Sequence, residues 1–84
     1  MLDIKILGPG CANCKQLEEL TRNCAEELGV PTRIEKVTDY ADILTYDILS
    51  TPGLVVNGKV VSSGRIPAPG SITAWLQEAA AAGG

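Results

Sequence analysis

The sequence predicts an α/β fold of order β-α-β-α-β-β-α, a four-stranded mixed sheet with helices on both faces. Three observations carry this. Alternation over the first seven residues gives way to a helical repeat over about residues 11–28. An Asn57-Gly58 pair separates two β-branched runs, which is the strongest short signal for a hairpin. The closing stretch spaces its apolar residues at i, i+3, i+4 and i+7, as one face of a helix does.

The first strand is read over Leu2 to Leu7, where Asp3 and Lys5 alternate with Ile4 and Ile6, and Gly8-Pro9-Gly10 ends it. From about Cys11 to Leu28 the stripe Cys14, Leu17, Thr21, Cys24 and Leu28 recurs at spacings of three and four, widened by Leu20 and Ala25. Gly29 and Pro31 mark the helix end. Thr32 to Val37 reads as the second strand, with Ile34 and Val37 its apolar members. Thr38 and Asp39 are candidate caps for a second helix from about Tyr40 to Leu49, whose expected buried residues are Ile43, Leu44, Ile48 and Tyr40.

Leu54-Val55-Val56 and Val60-Val61 form the hairpin. Pro69 suits the first position of a closing helix, where its missing N–H costs little. Ile72, Trp75, Leu76 and Ala79 face inward, and the terminal alanines and glycines are expected to fray. The first two strands, joined through a helix, should be parallel neighbours.

The chain has 84 residues, enough for one domain over 1–84 with an ordered core about 2–80. There is no Phe, so Ile, Leu, Val and Ala must build the core. Seven basic against ten acidic residues leave a formal charge of −3 and no basic patch, which argues against nucleic acid as a partner. No apolar stretch is long enough to span a bilayer, and the N-terminus lacks a signal-peptide core. A cytoplasmic monomer is the expectation, with no membrane partner. In that compartment three cysteines point to redox or metal chemistry rather than to a stapled scaffold.

Cys11-Ala12-Asn13-Cys14 falls where a strand hands over to a helix. The open N–H groups and positive dipole end of that helix would stabilise a thiolate at Cys11. Two intervening residues put Cys14 on the same side of the turn, within reach of a disulfide. Cys11 would attack a substrate disulfide and Cys14 would resolve the mixed disulfide. Cys24, ten residues beyond Cys14, lies about 15 Å further along the helix, too far to pair with either. Its place on the apolar stripe favours a buried, inert residue over the alternative of a regulatory thiol.

Thr51-Pro52 precedes the third strand. A proline there sits in an ordinary turn or, as a sharper reading, forms a cis bond facing the dithiol. In the second case Thr51 offers a backbone edge to an extended substrate. With no histidine, Ser-His, Cys-His and His-rich metal sites are excluded. Gly8-Pro9-Gly10 is no phosphate loop, and nothing in the chain calls for a cofactor.

Gly10-Cys11-Ala12-Asn13-Cys14, then Thr51-Pro52-Gly53-Leu54-Val55-Val56-Asn57-Gly58, then Gly64-Arg65, resemble the small thioredoxin-like redox-active disulfide proteins of archaea and bacteria. The resemblance runs from Ile4 to about Leu76. It implies a minimal thioredoxin fold, a nucleophilic Cys11, a resolving Cys14, a cis-Pro52 beside them and Gly64 just past the last strand. The implied activity is thiol-disulfide exchange with protein or small-molecule disulfides, fed by a thiol or reductase electron donor. The chain departs from ordinary thioredoxins at Gly10, where tryptophan is usual, and at Ala12-Asn13, where Gly-Pro is usual. Lys5 stands where thioredoxins bury an aspartate.

Two other readings stand beside this one. The Gly-Cys-Ala-Asn-Cys loop also resembles that of heavy-metal-associated domains, in which two thiolates hold copper(I). The same two thiolates could bind zinc. A non-catalytic interaction module would keep its partner after both cysteines are replaced.

Overall fold

The computed structural model describes residues 1–10, 12–48 and 50–82. Seven elements follow in the order β1 (Leu2–Leu7), α1 (Ala12–Leu28), β2 (Thr32–Val37), α2 (Tyr40–Leu44), β3 (Gly53–Val56), β4 (Lys59–Ser63) and α3 (Pro69–Ala81). The four strands form one sheet in the order β2-β1-β3-β4. β1 and β2 are parallel neighbours, as a strand–helix–strand unit requires, and the other two pairings are antiparallel.

Strand alternation sends the even residues of β1 to one face and the odd ones to the other. On the first face Leu2, Ile4 and Ile6 pack with Leu54 and Val56 of β3, Leu17, Cys24 and Ala25 of α1, and Ile72 and Leu76 of α3. On the second face Leu7 and Val55 meet Ile43 and Ile48 from the α2 region. Each fully buried Leu or Ile contributes about 1.5–3 kcal/mol from removal of apolar surface from water. The first, larger core therefore holds most of the stability.

Local signals account for the element ends. α1 stops in a Schellman motif: Gly29 has φ +67°, its N–H reaches Glu26 O at 3.1 Å, and Val30 N–H reaches Ala25 O at 3.2 Å. Its buried Thr21 hydroxyl donates to Leu17 O at 2.8 Å. The β3–β4 turn has positive φ at both Asn57 and Gly58, the I′ geometry that matches strand twist. Asn57 Oδ1 also accepts from Asp3 N–H at 3.0 Å, tying the hairpin tip to the start of β1. Pro69 occupies the first turn of α3, as its sequence position predicts.

Two expectations are corrected. The second helix ends at Leu44 instead of running to Leu49, which lies outside the described residues. Thr45, Tyr46 and Asp47 each donate a backbone bond three residues back, and the Thr45 hydroxyl donates to Asp42 O at 2.6 Å. That tightening winds the chain out of the α-helix, and Asp47 at φ +60° turns it away. Leu44 and Tyr40, expected inside, are 57% and 61% exposed, because so short a helix presents only Ile43 to the sheet. At the other end, α3 runs through Ala81, and the terminal Gly83 and Gly84, expected to fray, lie outside the described residues. Alanine is the best helix former, and Ala82 N–H still reaches Glu78 O at 3.1 Å.

β4 carries a bulge: Leu54 pairs with Ser62 while Val55 pairs with Val60, leaving Val61 as the extra residue. Val60 packs toward the second core and Val61 toward the first. A helix α2 after β2 and a closing helix α3 are not the two-strand sequel and final strand of a heavy-metal-associated domain.

Candidate active site

The site lies at the C-terminal end of β1, where the chain passes through Gly8-Pro9-Gly10 into α1. Gly8 N–H still donates to Val37 O at 2.9 Å, extending the β1–β2 ladder by one residue. Gly10 then takes φ +92°, a conformation that glycine adopts without steric cost, and the helix begins at Ala12. Cys14 sits in the first turn of α1, 5% exposed, at the head of the buried stripe that continues through Leu17, Thr21 and Cys24. Of the predicted dithiol, Cys14 is placed by the structure, whereas Cys11 lies outside the described residues.

Cys14 is brought against the other predicted segment through Gly8. A Cβ built on Gly8 would clash with Cys14 Sγ, and it would lie 3.7 Å from Thr51 Cβ. Thus the end of β1, the first turn of α1 and the segment before β3 converge on one point. The Thr51–Pro52 bond is cis, the sharper of the two forms left open above. Pro52 is buried and Thr51 half-buried.

The segment is anchored from its far side. Gly64 N–H donates to Pro52 O at 2.9 Å, and Gly64, at φ +77°, has the Ser50 side chain against it. Gly64 does lie just past the last strand. Gly53 leaves room for Leu7 and Ile48, since a Cβ there would stand 2.8 Å from Ile48 Cδ1.

Gly8 is the residue that sequence reasoning missed. Its letter, one place after an apolar strand, reads equally well as a strand stop. Only its distance from Cys14 in space reveals its second role.

Lys5 does not reach the site. Alternation puts it on the opposite face of the sheet from Gly8 and Cys14. It pairs there with Asp3 at 3.5 Å and with Glu35, its β2 neighbour in register, at 3.6 Å. The Asp3 carboxylate, against an opposing desolvation and with help from Glu35 and Tyr46, raises the pKa of the Lys5 ammonium above its ordinary value. Cys24 is 5% exposed and its thiol donates to Pro69 O at 3.6 Å, joining α1 to the start of α3. That matches the buried role read from its stripe position. Among the described residues no group of three or more Cys, Asp or Glu is placed to hold a metal. Nor is any helix among them long and apolar enough to cross a membrane.

Comparison with known proteins places this geometry among relatives. A family described as a thioredoxin domain matches residues 2–77. A thioredoxin of Methanothermobacter thermautotrophicus is 39% identical over 66 residues, covering 79% of this chain and 86% of the relative. A thioredoxin of Methanocaldococcus jannaschii is 39% identical over 67 residues, covering 80% and 77%. The solved structure of oxidised thioredoxin from Plasmodium falciparum superposes with a TM-score of 0.59 over 92% of this chain and 79% of that one. At 18% identity, that last likeness is one of fold.

Proposed function

The chain belongs to the thioredoxin domain family and is a thiol-disulfide oxidoreductase, and on that premise we propose that Cys11 and Cys14 are its redox pair. Cys11 is the attacking thiolate, Cys14 the resolving thiol, and Thr51-Pro52 the edge along which a substrate segment lies. The observation that supports this most directly is the convergence of Cys14 and Thr51 on Gly8. Two segments some forty residues apart meet there, each of them carrying one half of the expected site.

In sequence, Cys11 stands immediately before α1. The unpaired N–H groups and the dipole of that helix favour a thiolate at this position. The Cys11 thiolate attacks one sulfur of a substrate disulfide and forms a mixed disulfide with it, while the substrate S–S bond breaks and the other substrate sulfur leaves as a thiolate. Cys14 then attacks Cys11, closing the internal disulfide and releasing the second substrate sulfur. Two electrons pass from the dithiol to the substrate. A thiol or a reductase returns them. Burial of Cys14 keeps it from competing for the first attack.

Disulfide-containing proteins or small disulfides are the substrates, in a cytoplasm where thiols are kept reduced, and the chain acts as a monomer. Sedimentation at the 8.8 kDa of one chain checks the last point, and cell fractionation the location.

Equilibration in graded dithiothreitol buffers, with alkylated thiols counted by intact mass, tests the pair. One pair of thiols should vanish in a single two-electron step between roughly −120 and −300 mV, with Cys24 alkylatable throughout once unfolded. Three thiols at every potential would overturn the assignment. In a lysate, Cys14→Ser should accumulate mixed disulfides and Cys11→Ser should not.

A further inference from the structure

We propose that Gly8 is a positioning residue for the resolving thiol: its missing side chain is the seat of Cys14 Sγ. This rests on the assignment of Cys11 and Cys14 as the redox pair.

A glycine at the end of a strand is ordinarily explained by its backbone. Gly10, Gly29, Gly58 and Gly64 all have positive φ, and Gly8 does not. An alanine could adopt the backbone of Gly8. What excludes it is space, because its Cβ would clash with Cys14 Sγ and stand 3.5 Å from Cys14 Cβ.

Neither backbone can easily give way. Gly8 is held by its bond to Val37 O at 2.9 Å, and Leu7 before it pairs with Val37 on one side and Gly53 on the other. α1 is held down by Leu17, fully buried one turn on. What gives way is the single side-chain torsion of Cys14. In a helix one of its three staggered positions is largely closed by the preceding turn. A methyl on Gly8 therefore turns the thiol out of its seat into another well.

That displacement falls on the resolving step. Cys14 loses its proton to solvent and attacks the Cys11 sulfur of the mixed disulfide. The Cys11–Cys14 bond forms, the Cys11–substrate bond breaks, and the substrate sulfur leaves with the electron pair and is protonated. The new bond needs sulfurs about 2.05 Å apart and a narrow range of dihedral angle. A thiol in another rotamer meets neither condition without backbone movement.

The test is Gly8→Ala in the full chain, titrated beside the parent in graded dithiothreitol buffers. Closure of the disulfide should be at least tenfold less favourable in the variant, a midpoint about 30 mV more oxidising. A change confined to global stability would not move this midpoint. Equal midpoints for parent and variant would overturn the role of Gly8 and leave the redox pair standing. A parent that shows no two-thiol step would instead overturn the pair itself, and the role of Gly8 with it. If Gly8→Ala does not fold, it is combined with Cys14→Ala, which removes the sulfur. Recovery of folding in the double variant supports the proposal, and continued failure overturns it.

Discussion

Ser62 is a small flaw in the packing. Its hydroxyl is buried on β4 opposite Leu54, and it finds no hydrogen-bond partner among the described residues. Leaving such a group dry and unpaired costs about 1–3 kcal/mol. Ser62→Ala should accordingly raise stability by about 1 kcal/mol, or about 4–8 °C in a domain of this size, measured by thermal unfolding. A lower midpoint would mean that the hydroxyl has a partner in solution. Cys24 shows the opposite arrangement, a buried polar atom given a carbonyl to bond. Its burial was legible from the spacing of the α1 stripe, whereas the satisfaction of its thiol by Pro69 was not, since that contact joins residues 45 apart. Glycine is the hardest residue to read in one dimension. Gly58 and Gly64 are glycines for their backbone angle, Gly8 and Gly53 for their lack of volume, and the letter is the same.

Among the elements, α1, the hairpin and α3 were legible because their signals are local. The Gly29 cap, the Asn57-Gly58 turn and the Pro69 start each act within a few residues. The start of α2 at Tyr40 behind its Asp39 cap was legible too, but its end was not, because Leu44 and Ile48 continue an apolar pattern past the last helical residue. Its end is decided by Thr45 and Asp47, through a side-chain bond and a left-handed backbone that periodicity does not register. The difference can be measured. Ile43→Ala should cost about 2–5 kcal/mol by loss of buried surface and creation of a cavity. Leu44→Ala, one residue away and exposed, should stay within about 0.5 kcal/mol in the same urea titration. Equal losses would show that the helix is longer in solution and buries both.

For the whole molecule, the strand–helix–strand unit and the hairpin were predictable as pieces, but the order β2-β1-β3-β4 joins them through a long-range pairing of β1 with β3. No neighbouring residues announce that register, and it brings Leu7 opposite Gly53 and so carries Thr51-Pro52 toward the end of β1. The site is therefore a product of topology, and its parts were legible before their meeting was. The two faces are unequally covered. α1 and α3 pack on each other and on the first face, while the second has a helix of five residues. In hydrogen exchange the amides of α2 should open first and those of β1 last, since local opening follows the amount of buried apolar contact. Protection of α2 equal to that of β1 would show that the sheet and both its faces unfold as one unit.

The bulge at Val61 has a bearing on behaviour at high concentration. β4 is an outer strand, and a straight, valine-rich outer strand is a template on which other chains aggregate. The extra residue breaks the two-residue repeat and twists that border, and Lys59 puts a charge at its start. A stranger's backbone that tries to zip along β4 meets a misfit at the third residue. The same irregularity that leaves Val61 outside the regular pairing thus helps keep the protein from recruiting copies of itself into a growing sheet.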